Sequence, residues 1–169
     1  MNASGFGTFA SFGGLEPGTL FLDSSLGGDG DTAILLKVGP GASHNAVRLF
    51  DRAAAGRGLQ MPALAAVPTE NHYVLALPDY SIEVENSVDN VVWESDAGFV
   101  KAVVCAESEG ALLIKAFRNR NRDDYECDFF DLRTGLHAPL DRVSVGFRRW
   151  SVVRGDAFGN REVLFRFEV

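Results

Sequence analysis

Basic residues are scarce through the first two-thirds of this chain, cysteine and tryptophan are scarce throughout, and long apolar runs are missing. Residues 1–117 hold 6 Lys and Arg against 14 Asp and Glu, and the 169-residue chain carries a net charge of −7. Such a chain is not drawn in general to phosphate backbones or anionic membranes, so nonspecific nucleic-acid binding is disfavoured. No stretch approaches the roughly 18 apolar residues of a transmembrane helix, so no membrane partner is expected. The opening MNASGFGTFASFGG has no Lys or Arg and no apolar core of signal-peptide length, and a cytoplasmic location is expected. The two cysteines, Cys105 and Cys127, lack CxxC spacing and a neighbouring His. Zinc and thioredoxin-type chemistry therefore find no support, and both thiols are expected to be reduced and to fill core space. A chain of this length buries enough surface to fold without metal or cofactor, and none is expected.

What the chain has in quantity is period-two alternation. In Arg161–Val169, Val163, Phe165, Phe167 and Val169 fall on one face, with Glu162, Arg166 and Glu168 on the other. Ile82, Val84 and Val88 alternate in the same way with Glu83, Glu85 and Ser87, and Tyr73, Leu75 and Leu77 alternate just upstream of a Pro78-Asp79 turn. Further strands are expected near 18–23, 31–39, 44–51, 98–106, 110–117, 125–132 and 147–154. Phe99–Ala106 with Ala111–Phe117, and Trp150–Arg154 with Arg161–Phe167, read as hairpins. A change of apolar phase between Phe129 and Phe130 predicts a bulge or a crossing between sheets.

Helical signal is poor. Arg52–Gly58 is short, and Leu59–Val67 is interrupted by Pro62 and closed by Pro68, leaving room for a turn or two of helix. About ten short strands with frequent Gly and Pro predict an all-β fold, an antiparallel, jelly-roll-like β-sandwich, with a closed β-barrel as the alternative. Ala33–Val38 and Leu112–Ala116 are apolar on both faces, as strands lying between layers are.

Residues 1–14 stand apart as a Gly- and Phe-rich arm, and residues 15–169 read as one sandwich domain. Phe6, Phe9 and Phe12 lie in a background that carries no charge before Glu16. They either pack on their own domain as an edge strand or dock on a protein partner or second subunit, where aromatic burial would offset the entropy of ordering a glycine-rich segment.

No motif names a reaction. Leu26–Thr32 places two carboxylates in a glycine-rich turn but lacks the remaining ligands of a calcium loop. Gly41–Asn45 is not a nucleophile elbow, and His44, His72 and His137 show no metal-ligand spacing. Arg118, Arg120 and Arg122 alternate with Asn and would line one face of a continued strand, where they could fork onto carboxylates or phosphates, although Asp123, Asp124, Glu126 and Asp128 lie close enough to neutralise them. Glu83 and Glu85 head an acidic stretch that extends to Asp96 and could steer a basic partner. Trp93 and Trp150, expected to be exposed, would offer flat stacking surfaces to a carbohydrate. The expected function is a non-catalytic protein-binding or self-assembling module, the protein-binding residues being Phe6, Phe9, Phe12, Glu83, Glu85, Arg118, Arg120 and Arg122. The alternative is a small-molecule or carbohydrate site, or a hydrolase using His72 or His137.

Overall fold

The computed structural model describes residues 6–25, 32–39, 44–51, 62–93, 95, 102–107, 110–118, 127–139, 143–155 and 161–168. Its strands are β1 (Thr8–Ser11), β2 (Leu20–Asp23), β3 (Ala33–Lys37), β4 (Ala46–Asp51), β5 (Ala63–Ala65), β6 (Tyr73–Ala76), β7 (Tyr80–Val84) and β8 (Val91–Trp93). They continue as β9 (Val104–Glu107), β10 (Leu112–Phe117), β11 (Cys127–Asp131), β12 (His137–Ala138), β13 (Val143–Phe147), β14 (Arg149–Gly155) and β15 (Arg161–Glu168).

Twelve strands form one sheet, in the order β1-β6-β2-β3-β4-β5-β10-β9-β13-β8, with β11 and β12 branching from β10. A second sheet has the order β15-β14-β7. The fold is thus an all-β sandwich, and neither sheet closes into a barrel. Pairing is antiparallel except for a single parallel contact, Ala63 of β5 with Phe117 of β10.

The main core lies between the sheets. Leu20, Ile34, Leu36, Val47, Ile114 and Phe130 of the large sheet meet Tyr80, Trp150, Val152 and Phe167 of the small one. β3 is buried on both sides: Ile34 and Leu36 face this core, while Ala33 and Leu35 face a second cluster with Phe12, Phe21, Ala46, Ala65 and Val74. A third cluster joins Cys105, Leu113, Phe129, Ala138 and Val143.

Those outer clusters explain where local sequence pattern misleads. No register shift occurs at Phe129 and Phe130, contrary to the expected bulge. β11 runs straight between two apolar layers, with Phe129 in the third cluster and Phe130 in the main core, so both faces are apolar and the phase change carries no geometric meaning. Residues 63–65, within the stretch that allowed helix, form β5, because β4 offers them a ladder. Val88 does not continue the alternation of β7: it opens a 3₁₀ turn and is 93% exposed. The Pro78-Asp79 turn forms, but it carries the chain from the large sheet into the small one rather than closing a hairpin. Both expected hairpins are present, as β9–β10 and β14–β15. Arg52–Gly58 and residues 26–31 of the acidic glycine-rich turn lie outside the described residues.

Two glycines tie the turn before β2 to the turn after β11. Gly18 and Gly135 both have positive φ, at 89° and 65°, and a Cβ on Gly135 would stand 2.5 Å from the Gly18 nitrogen and 2.7 Å from the Lys37 oxygen. Only glycine fits this approach without moving backbone.

Candidate functional site

The N-terminal segment is built onto the domain. Phe12 is fully buried against Phe21, with ring centroids 5.3 Å apart, and its amide donates to the His72 carbonyl at 2.8 Å. This corrects the expectation for Phe12 as a docking residue: it is a core plug, because the outer face of β2 and β3 is apolar and needs a cover. Phe6 packs edge-on against Tyr80, with centroids 5.8 Å apart. Phe9 is left 80% exposed.

That exposure sits on an open edge. β1 pairs with β6 through Thr8↔Ala76, Phe9↔Leu75, Ala10↔Val74 and Ser11↔Tyr73, and among the described residues nothing pairs on its other side. Since Phe12 bonds to His72, the antiparallel alternation directs the amides of Thr8 and Ala10 toward β6 and those of Phe9 and Ser11 outward. Opposed residues share a face, so Phe9, Ser11, Leu75 and Tyr73 point the same way, and Tyr73 is 70% exposed. This edge strand carries none of the charges, prolines or bulges that normally block pairing.

The charged candidates are engaged inside the chain. Glu83 pairs with Arg161 at 2.9 Å. Glu85 Oε2 lies 3.0 Å from Arg149 Nε, an ion pair whose angle falls short of a hydrogen bond, and Arg149 also holds Asp89 at 2.8 Å. Arg118 grips Asp128 with two bonds of 2.8 Å, and His137 approaches the same carboxylate at 3.3 Å. The Arg118 bonds, despite a smaller opposing effect of burial, help hold the Asp128 carboxyl below its usual range. Arg120, Arg122, Glu94 and Asp96 lie outside the described residues.

Trp150 is 1% exposed, stacked on Phe167 and edge-on to Phe165 at 5.2 and 5.6 Å. This corrects its assignment as a ligand-stacking surface, since the alternation of β14 turns Trp150 and Val152 into the core. Trp93 is 60% exposed on the short β8.

His72 is oriented by a buried carboxylate, which sequence alone did not reveal. His72 Nε2 lies 2.6 Å from Asp23 Oδ2, and Ser25 donates to Asp23 Oδ1 from both its hydroxyl and its amide. A nucleophilic triad needs the hydroxyl on the imidazole. Here it is on the acid, so the trio anchors the end of β2 to the start of β6. Among the described residues, no three His, Cys, Asp or Glu side chains converge as a metal site would require, and no helix is long and apolar enough to cross a membrane.

A cleft of about 610 Å³ opens between the sheets, with Leu20, Leu36, Ile82 and Leu112 among its lining and Tyr80 and Arg133 among its polar residues. Comparison with protein-family models, with curated proteins and with solved structures found no match.

Proposed function

We propose that this chain is a protein-docking domain that binds by adding a strand to the open edge of β1. The observation that carries this reading is the uncharged, unblocked edge bearing the outward amides of Phe9 and Ser11 beside the exposed Phe9 and Tyr73 rings. Strand addition draws affinity from main-chain hydrogen bonds and selectivity from side chains on alternate positions. The engagement of Glu83, Glu85 and Arg118 within the chain makes a mainly electrostatic docking surface the weaker candidate.

Ser11→Pro tests the edge. Ser11 has φ −67°, the value proline imposes, and its amide does not serve the ladder with β6, so the substitution removes an outward donor and leaves the fold in place. Partners captured by the immobilised wild-type chain should be lost on Ser11→Pro and kept on Glu83→Lys. Equal capture by wild type and Ser11→Pro would refute strand addition.

A second reading, binding of a small amphiphile, is supported by the intersheet cleft and its aliphatic lining. Titration calorimetry with dodecanoate, on wild type and Leu112→Arg, checks it: saturable heat on the wild type alone supports the reading, and no heat on either rejects it.

A further inference from the structure

We propose that the strand added to β1 is β1 of a second copy, in an antiparallel, two-fold pairing centred on Phe9, so that the large sheets of two chains run on into one. This rests on the edge-docking reading and goes further by naming the partner.

Three observations lead there. First, the outward pattern is self-complementary. Phe9 and Ser11 offer outward N–H and C=O groups, and an antiparallel copy in the register Phe9↔Phe9 sets Ser11 against Gly7 and pairs positions of the same class. Second, charge permits it here. Two chains of net charge −7 repel in general, but residues 1–15 carry no charge and neither does β6, so no like charges meet along this edge. Both edges of the small sheet are charged, β15 with Arg161, Glu162, Arg166 and Glu168 and β7 with Glu83, and β8 at the far edge of the large sheet offers only three residues. Third, the register creates an apolar row, Leu75–Phe9–Phe9–Leu75, on one face, covering the aromatic ring that the monomer leaves most exposed among its described residues. An edge of four residues makes a small interface, so the dimer is weak and reversible, forming as concentration rises.

Sedimentation velocity from micromolar to millimolar concentration reads the outcome, with circular dichroism confirming that each variant is folded. The wild type should pass from monomer to dimer across this range. Ser11→Pro should raise the dissociation constant at least tenfold, and Phe9→Lys, which places two cations face to face at an exposed position, should do the same. Phe9→Cys should yield a covalent dimer under mild oxidation while the wild type yields none. A wild type that stays monomeric at millimolar concentration overturns the self-pairing and leaves edge docking to the capture experiment. A dimer untouched by Ser11→Pro overturns the self-pairing at β1 and likewise leaves edge docking to the capture experiment. A dimer sensitive to Ser11→Pro in which Phe9→Cys fails to crosslink overturns the Phe9-centred pairing.

Discussion

Lys37 Nζ lies 3.7 Å from the centroid of the Phe12 ring and 3.4 Å from the Phe12 carbonyl oxygen, a cation held against an aromatic face in a nearly closed site. Burial depresses the pKa of this amine. The arrangement explains why a lysine is accepted on the face of β3 that otherwise carries Ala33 and Leu35: the ring and the carbonyl above it replace part of its hydration.

Phe12→Ala removes a buried aromatic ring and that cover together. It should cost about 3–5 kcal/mol of unfolding free energy in urea titration and leave the segment preceding residue 12 open to limited proteolysis. Phe9→Ala, at an exposed position, should leave stability nearly unchanged. Similar losses in the two variants would contradict the assignment of Phe12 as the plug.

Asn90 is fully buried and joins the two sheets at their shared end. Its amide donates to the Glu85 and Arg149 carbonyls at 2.7 and 2.9 Å, and its side-chain oxygen accepts from the Arg149 amide at 2.6 Å. Asn90→Ala would leave the Arg149 amide without its acceptor, while the Glu85 and Arg149 carbonyls keep the Ser87 and Glu85 amides as donors, and should lower stability by about 1–3 kcal/mol, the cost of one unsatisfied buried group. Guanidinium titration measures it, and a change below a few tenths of that size would show that water replaces the bracket.

Asp23 supplies a pH dependence with a defined sign. Burial raises its pKa, but the hydrogen bonds from Ser25 and His72 outweigh burial and hold it below the ordinary 3.8. A carboxylate whose folded pKa is depressed adds stability that is complete above the unfolded value and is lost as pH falls through the folded one. The thermal stability of the wild type should therefore fall as the pH drops below about 4. Asp23→Asn should be less stable at neutral pH and flatter in that acid range. Parallel acid profiles for the two proteins would exclude Asp23 as a contributor.

Burial, only partly opposed by Lys115, pushes the Cys105 thiol up to about 12, and Cys127 is also raised by burial. Cys105 stands opposite Leu113 and Cys127 opposite Phe117, on the two flanks of β10. Two strand spacings, roughly 9–10 Å across the sheet, together with the offset along β10 between Leu113 and Phe117, put their backbones well beyond the ~7 Å reach of a disulfide. Iodoacetamide at neutral pH should spare Cys105 in the folded chain and alkylate both thiols in denaturant. Mild oxidation should produce no intrachain disulfide by mass spectrometry. Rapid native alkylation of Cys105 would show that the third cluster opens to solvent.

The strands themselves were legible because alternation is a local property. Val163, Phe165 and Phe167 against Glu162, Arg166 and Glu168 specify a half-buried strand without reference to anything distant, and the hairpins follow from the turns beside them. β5, β8, β12 and β13 were not legible: the first three are only two or three residues long, and each of the four becomes a strand because another segment presents a ladder to it. Nor was it legible which aromatics would be free. Phe6, Phe9 and Phe12 look alike in sequence, and Trp93 looks like Trp150, yet one of each group is buried because an apolar face elsewhere in the chain needs that ring.

The pairing of Arg118 with Asp128 could be anticipated from their nearness in sequence, whereas His72 with Asp23 and Asn90 with Arg149 join segments far apart in the chain. Composition and periodicity thus determined by themselves that this protein is layered β-sheet, since side-chain polarity responds to solvent residue by residue. Tertiary structure decided which sheet each strand joins, which rings are consumed as core, and which strands lie at the edges, because those outcomes depend on surfaces that exist only after distant strands have met.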